Sequence, residues 1–468
     1  MRPEHRDNQE ATLNLLASKL KKVQARLLKL HSRDAPMPAA MRLRFSFEKR
    51  GLDDAIQDLQ DWQQLYDVSW YMISMIPDPI VDLELSRFAV GNPKDSAVTK
   101  AACIRHSILG QTGISSHTFV SSSKLDYAKA VDIPHSSARL IPLAASSRRV
   151  VVDSLQYKDT NLDLMTKTVR KLAKRLSNSD PSSFAILKCQ GVVKTSTTDH
   201  PTVFDLLFEV PKNTTSDPQT VRSHLMLRTK HSLTERFDIA KQAVKAISYV
   251  HMLGFVHKNV RPENLIGFGS PGARLGSFFL IGFEQARTAD GRTYRLGDSE
   301  WSRDLYRHPE RQGLTPSEDY TMQHDIYSLG VCLLEIGLWR SFVVYKDDGD
   351  NDDDSVTPTD WFGLDVNAFM RKSPSAKKKH LVSSAEHDLP AKMGTAYTNI
   401  VVNCLTCLDR ENEDFGDKSE FQDEDGVLVG VRYIEKVRRR IDLDFMWSST
   451  HRIADTAQIL LKLNDIQV

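Results

Sequence analysis

Cysteine is scarce: five in 468 residues. So few cannot make a disulfide framework, and they fit a reducing compartment. Charge of one sign is not in excess either. The 62 Lys and Arg against 61 Asp and Glu leave a formal net charge of +1. That balance argues against nucleic acid as a partner held by bulk electrostatics. Long apolar runs are missing, and no uninterrupted stretch is long enough to span a bilayer. The opening residues, MRPEHRDNQE, are polar and lack the apolar core of a secretory leader. The expected compartment is the cytoplasm. The nucleus is the alternative, because Lys377, Lys378 and Lys379 could belong to a nuclear address, although such a run more often marks a solvated loop. No repeat of fixed period is visible.

What is present reads as an ordinary soluble composition, 40% hydrophobic and 26% charged, with room for two to four domains. Residues 1–91 form a helical region. Leu13, Leu16, Leu20, Val23, Leu27 and Leu30 alternate spacings of three and four and share one helical stripe. Lys19, Lys21, Lys22, Arg26 and Lys29 give it a basic flank, which leaves a membrane-binding face as an alternative to a bundle core. A second helix from Phe47 turns Leu52, Ile56, Leu59, Trp62 and Leu65 inward, and Pro77 and Pro79 end it. Two amphipathic helices cannot bury both faces alone, so a protein partner is expected to dock on them.

Residues 92–148 read as a Ser- and Thr-rich linker with short β-like pieces such as Arg139 to Leu143. From 149 to 230 the pattern is strand (Val150 to Val152), helix (Leu162 to Leu176, with Leu164, Val169, Leu172 and Leu176 inward), then strands Phe184 to Val193 and Val203 to Val210. Residues 231–468 are mainly helical, with a nearly all-apolar buried helix from Ile326 to Trp339. A polar segment at about 346–384, acidic then basic, is expected to be a surface insertion without structure. Cys404 and Cys407 make a lone C-x-x-C in an apolar run. With no second pair, a buried helix face explains them better than zinc, and no metal site is expected.

Four motifs then follow in order. Tyr249-Val-His-Met-Leu-Gly-Phe-Val-His257-Lys258-Asn259-Val-Arg261-Pro262-Glu263-Asn264 resembles the protein-kinase catalytic loop, H-R-D-x-x-x-x-N. Ile281-Gly282-Phe283-Glu284 stands where D-F-G belongs, and His308-Pro309-Glu310 where A-P-E belongs. His324-Asp325-Ile-Tyr-Ser-Leu-Gly330 resembles the segment whose Asp anchors the catalytic loop. The resemblance implies an α+β, bilobal protein-kinase-like fold preceded by the N-terminal helices. His257 and Lys258 take the His and Arg positions of the loop, Asn259 the catalytic Asp, Asn264 the magnesium-binding Asn and Gly282 the D-F-G Asp. Glu310 and Asp325 take structural roles, Glu310 with Arg410 as a candidate partner.

The departures argue against catalysis. Asn259 is an amide where a carboxylate receives the substrate proton, a loss of about 10²- to 10⁴-fold in rate. Gly282 has no side chain with which to hold magnesium. No G-x-G-x-x-G precedes Val150. The strand that aligns with the one bearing the phosphate-binding lysine ends Asp153-Ser154-Leu155, leaving Lys158 as the nearest lysine. The helix that follows has no Glu between Leu162 and Ser179. ATP and magnesium, the cofactors that the resemblance implies, therefore lack their usual ligands.

The stretches 281–284, 305–313 and 324–340, with Arg44 to Ile73 ahead of them, are similar to a group of filamentous-fungal proteins. In that group a HeLo or HeLo-like (prion-inhibition and propagation) helical domain precedes a degenerate kinase-like domain. The family implies a role in fungal cell-fate or allorecognition signalling. Three functions stand: a pseudokinase-type signalling or scaffold protein, an atypical active kinase using Glu284 as its carboxylate, and a membrane-acting helical effector.

Overall fold

The computed structural model describes residues 118–421, apart from short internal gaps, together with a few isolated helical positions outside that range (Lys21, Gln24, Leu83, Arg87, Arg105, Tyr433, Lys436 and Val437). The chain divides into two units, Met1–Arg105 and His106–Val468. The leucine stripe at 13–30 and the second helix to Ile76 lie outside the described residues, as does Lys158.

Its first layer is a six-stranded sheet. The strands are β1 (Phe119–Val120), β2 (Val131–Asp132), β3 (Arg139–Pro142), β4 (Arg149–Gln156), β5 (Cys189–Thr195) and β6 (Val203–Glu209), in the order β1-β5-β6-β4-β3-β2. All neighbours are antiparallel except β1, which runs parallel to β5. Helix α1 (Leu162–Leu176) and the short α2 (Pro181–Phe184) connect β4 to β5. The β-branched run Val150-Val151-Val152 fits a central strand. Val150 and Val152 point with Ile141, Val193 and Leu207 into one core. Strand alternation then sends Val151, Asp153 and Leu155 to the opposite face, where Asp153 is fully buried.

The sheet begins earlier than the expected boundary at 149, because β1, β2 and β3 occupy the segment read as a linker. Two of these strands have only two residues, too few to show a period. In α1, Val169, Leu172 and Leu176 are buried as expected, but Leu164 is half exposed in the first turn.

The second layer is helical. It runs β7 (Gln219–Thr220), α3 (Val221–Leu227), α4 (Leu233–Met252), β8 (Phe255–Val256), β9 (Leu265–Phe268), β10 (Ser277–Leu280), β11 (Arg287–Thr288), α5 (Trp301–Asp304) and α6 (Met322–Leu338). The hairpin β12 (Val343–Tyr345) and β13 (Val356–Pro358) leads to α7 (Val366–Arg371), α8 (Pro374–Asp388), α9 (Pro390–Met393) and α10 (Thr395–Leu405). All of α6 except Gln323 is buried, as its nearly all-apolar stretch from Ile326 requires. Gly330 lets it approach α10, since a Cβ there would lie 2.8 Å from Cys404 Cβ. Among the described residues no helix is long and apolar enough to cross a membrane.

Helix α4 starts in a capping box. Ser232 Oγ accepts from Glu235 N at 3.2 Å, and Ser232 N donates to Glu235 Oε2 at 2.8 Å. Ser232→Ala should therefore cost about 1 kcal/mol, read as a lower midpoint in urea unfolding with an unchanged slope. The polar segment expected to lack structure is helical in its second half. Ser373 Oγ caps Ala376 N at 3.3 Å and Pro374 takes the first turn, while Leu381 and Ala385 are buried. The lysines at 377–379 sit on this helix and not in a loop. Lys377 Nζ lies 5.0 Å from the Phe369 ring centre, and Lys378 Nζ reaches Asp409 Oδ1 at 2.5 Å.

Candidate functional site

The loop between β8 and β9 carries residues 257–264, and one buried carboxylate fixes its start. Asp325, in the first turn of α6, accepts from His257 N (2.7 Å), Lys258 N (2.8 Å), Tyr320 Oη (2.7 Å) and His251 Nε2 (3.0 Å). Burial works to raise its pKa, but the bond to His251 and the neighbouring donors outweigh burial and hold the carboxyl below its usual range. Those bonds hold Lys258 at φ +65°, a left-handed conformation that costs a non-glycine residue of order 1 kcal/mol or more. His257 is buried, with Nε2 at 3.1 Å from Ile281 O and its ring centre 4.9 Å from that of Phe283. Burial pushes its pKa down to about 4, so the imidazole is neutral. Lys258 is pushed down to about 8, by burial and then by Arg287 and Arg311.

Asn259 has its amide committed. Nδ2 donates to Glu284 Oε1 at 2.7 Å and to Gly282 O at 3.4 Å, while Oδ1 accepts Arg261 Nε at 2.9 Å. Asn264 Nδ2 donates to Asn259 O at 2.7 Å. Gly282 adopts φ +83°, and a Cβ there would lie 2.4 Å from Asn264 Cγ. Asn259, Asn264, Gly282 and Glu284 are thus brought together. Yet the only carboxylate among them, Glu284, is held by Asn259 and by Ser137 Oγ at 3.4 Å. Burial raises its pKa, against the pull of Arg261 and Arg303.

The residue that completes this site is Asp153, which sequence reasoning passed over in favour of Lys158. Its Oδ2 accepts from Gly282 N at 3.0 Å and from Phe283 N at 2.8 Å, joining β4 to the turn after β10. Its Oδ1 is buried without a hydrogen-bond partner. On the kinase resemblance, Val150-Val151-Val152-Asp153 is read against the V-A-I-K strand signature, which would set an acid in the place of the phosphate-binding lysine. That register was legible in the sequence. In α1 the only acidic residue is Asp163, which is exposed in the first turn.

The loop over this cleft is 133–138, joining β2 to β3, and it holds no glycine. Three contacts tie it down. Thr220 Oγ1 donates to Pro134 O at 3.0 Å, the His135 ring centre lies 4.6 Å from that of Tyr345, and Ser137 reaches Glu284. Arg222 on α3 lies beneath, fully buried, with Nε 2.9 Å from Glu263 Oε1 and Nη1 2.6 Å from Glu335 Oε1.

Glu310 is about half exposed, with Oε2 3.6 Å from His308 Nδ1, and the ion pair of that corner joins Lys378 to Asp409. Arg410 is exposed. Cys404 and Cys407 are buried. The Cys407 thiol donates to Gln323 O at 3.4 Å and is pushed up by burial to about 12, so it stays protonated.

No family model matches the chain. Partial similarity to protein kinases is found. The chain is 31% identical over 104 residues to eukaryotic translation initiation factor 2-alpha kinase 1 of Mus musculus, covering 21% of this chain and 16% of that protein. It is 23% identical over 111 residues to the RAF proto-oncogene serine/threonine-protein kinase of Xenopus laevis, covering 24% and 17%. It is 37% identical over 99 residues to the serine/threonine-protein kinase TIO of Arabidopsis thaliana, covering 21% and 7%. The matches span less than a fifth of each relative's length. Together with the mixed sheet and helices they fit an α+β protein-kinase-like fold.

Proposed function

We propose that this chain is a pseudokinase-type signalling or scaffold protein that works by binding partners and not by phosphoryl transfer. The observation that carries the reading is the Asp153 carboxylate bonded to the backbone N–H groups of Gly282 and Phe283. A kinase uses a lysine and a magnesium-binding aspartate at these two places to hold nucleotide phosphates. Here the first is an acid and the second has no side chain. An anion approaching Asp153 and Glu284 meets like charge in a poorly solvated cleft. The residues therefore do not fit ATP with magnesium. Glu284, the carboxylate an atypical kinase would need, is already engaged by Asn259 and Ser137.

The resemblance to fungal helical and kinase-like proteins supports a place in cell-fate or allorecognition signalling. The N-terminal helices would then dock a protein partner or a membrane surface. The test is thermal unfolding of the full chain with millimolar ATP, with and without magnesium or manganese. A ligand that binds only the folded state raises the midpoint by mass action, so a shift below about 1 °C is expected here. A saturating, metal-dependent rise would overturn the reading.

A further inference from the structure

A carboxylate taken out of water is stable only with a cation, a set of donors or a proton. Asp153 has donors on one oxygen only. Charged and titratable groups surround it on several elements, Asp205 and Arg139 among them from the other face of the sheet. On β6, Asp205 is occupied by Ser154 Oγ (2.6 Å) and Tyr127 Oη (2.7 Å). In the turn after β10 stands Glu284. From the 257–264 loop, Arg261 is turned to Asn259, and the His257 ring is neutral. Arg303 acts on Glu284, and on β3 Arg139 lies 6.0 Å from the Tyr127 ring centre. Among the described residues no Lys or Arg nitrogen pairs with Asp153.

We propose that closure of β4 onto the Gly282–Glu284 turn is linked to uptake of one proton by the Asp153 and Glu284 carboxyls, so that the cleft tightens as pH falls and loosens as pH rises. The bond pattern explains how. A proton from solvent on Oδ1 of Asp153 removes the buried charge and leaves Oδ2 accepting both backbone N–H groups. With Asp153 and Glu284 both ionised, two poorly solvated anions repel across the closed cleft. Burial, and after it Glu284, push Asp153 up from 3.8 to about 7, which puts the change in the neutral range.

The sign follows from which state holds the proton. The closed form is protonated where the open form, with its ordinary value, is not. The charge penalty is therefore absent below about pH 4, grows with pH and is complete above about 7. The inference rests on reading the cleft as one without nucleotide.

The experiment is hydrogen exchange of the full, nucleotide-free chain between pH 5 and 8. Protection over residues 277–288 is compared with protection over α6. In the wild type it should fall close to tenfold per pH unit up to about pH 7 and then level, with α6 unchanged. Asp153→Asn keeps the acceptor and removes its charge, so its protection should fall much less with pH than the wild type's, leaving only the part due to Glu284. Glu284→Gln should move the fall to lower pH. A wild-type profile without a pH-dependent fall, or the same fall in either variant, would overturn the proposal. A parallel series with ATP and magnesium separates the two readings. Added protection from nucleotide sinks the pseudokinase assignment and leaves the pH comparison to stand or fall by itself.

Discussion

Gly282→Asp, which puts an aspartate where the kinase resemblance expects that of D-F-G, should destabilise the protein by about 2–4 kcal/mol and, on the proposed pseudokinase reading, give no kinase. Residue 282 has φ +83°, where any side chain is strained. A Cβ there would meet Asn264 at 2.4 Å (Cγ), 2.5 Å (Nδ2) and 2.6 Å (Oδ1). Asn264 has little room to yield, being buried with its amide tied to Asn259 O. The new carboxylate would also join Asp153 and Glu284 as a third acid. Gly282→Ala carries only the steric part and should account for most of the loss. Urea unfolding reads it as a lower midpoint with an unchanged slope. On the proposed reading, Gly282→Asp combined with Asn259→Asp should transfer no phosphate, because the Asp153 carboxylate still caps the turn at Gly282 and Phe283. Wild-type stability in that double variant, or phosphorylation of a generic substrate, would refute this account of the site.

The sequence is most legible where chemistry constrains residue type at fixed spacing. Asp325 anchors the loop through two backbone N–H groups, and its distance from Gly330 shows in the sequence. Helix α6 is equally plain, because a helix buried all round is mostly apolar, and its buried Asp325 and Glu335 are both hydrogen-bonded. Legibility fails where an element is held by its neighbours. Strand β2 has two residues, both exposed, and exists because β3 pairs with it. Helix α8 buries little more than Leu381 and Ala385 and carries three consecutive lysines, so its periodicity is faint. Its start, Ser373 followed by Pro374, is nevertheless a legible cap. Leu164 misleads for a related reason: it belongs to the apolar stripe, but the first turn of α1 projects past the core.

The site divides in the same way. Asn259 and Gly282 are visible as departures from the motif that the chain resembles. The contacts they make are not, because they depend on distant residues. Asp153 and Gly282 are 129 positions apart, and only folding shows that one carboxylate caps the turn left by the other. The closing of the 133–138 loop is similar, since Thr220 and Tyr345 come from elements far along the chain. From sequence Asp153 reads only as the polar end of a strand. In the structure it bonds β4 to the turn after β10.

Arg222→Met should cost about 3–5 kcal/mol near pH 8, the largest loss expected from a single change in the described chain. One guanidinium serves two buried carboxylates there. Nε meets Glu263 Oε1 at 2.9 Å, and Nη1 meets Glu335 Oε1 and Ser341 Oγ, both at 2.6 Å. Nη2 donates to Tyr306 Oη, which donates on to Glu335 Oε2 at 2.6 Å. Phe342 N donates to Glu335 Oε1 at 2.7 Å and Tyr345 Oη to Glu263 Oε1 at 2.9 Å. Burial works against ionisation at both acids. At Glu263, Arg222 and Arg261 outweigh it and hold the pKa at about 2. At Glu335, burial prevails and the pKa is raised. Methionine fills the space of the stem but takes the bonded cation from both carboxylates, leaving Glu263 only the pull of Arg261. Their pKa values must then rise, so the loss should be largest at high pH and shrink as pH falls and the carboxyls take up protons. Arg222→Lys should fall between, because one ammonium cannot reproduce the fork that meets Glu263 and Glu335 together. Because Glu263 lies in the 257–264 loop and Glu335 in α6, the same loss should appear as faster exchange over that loop. A cost below about 1 kcal/mol at pH 8, or one that does not change with pH, would show that the guanidinium does not fix the loop.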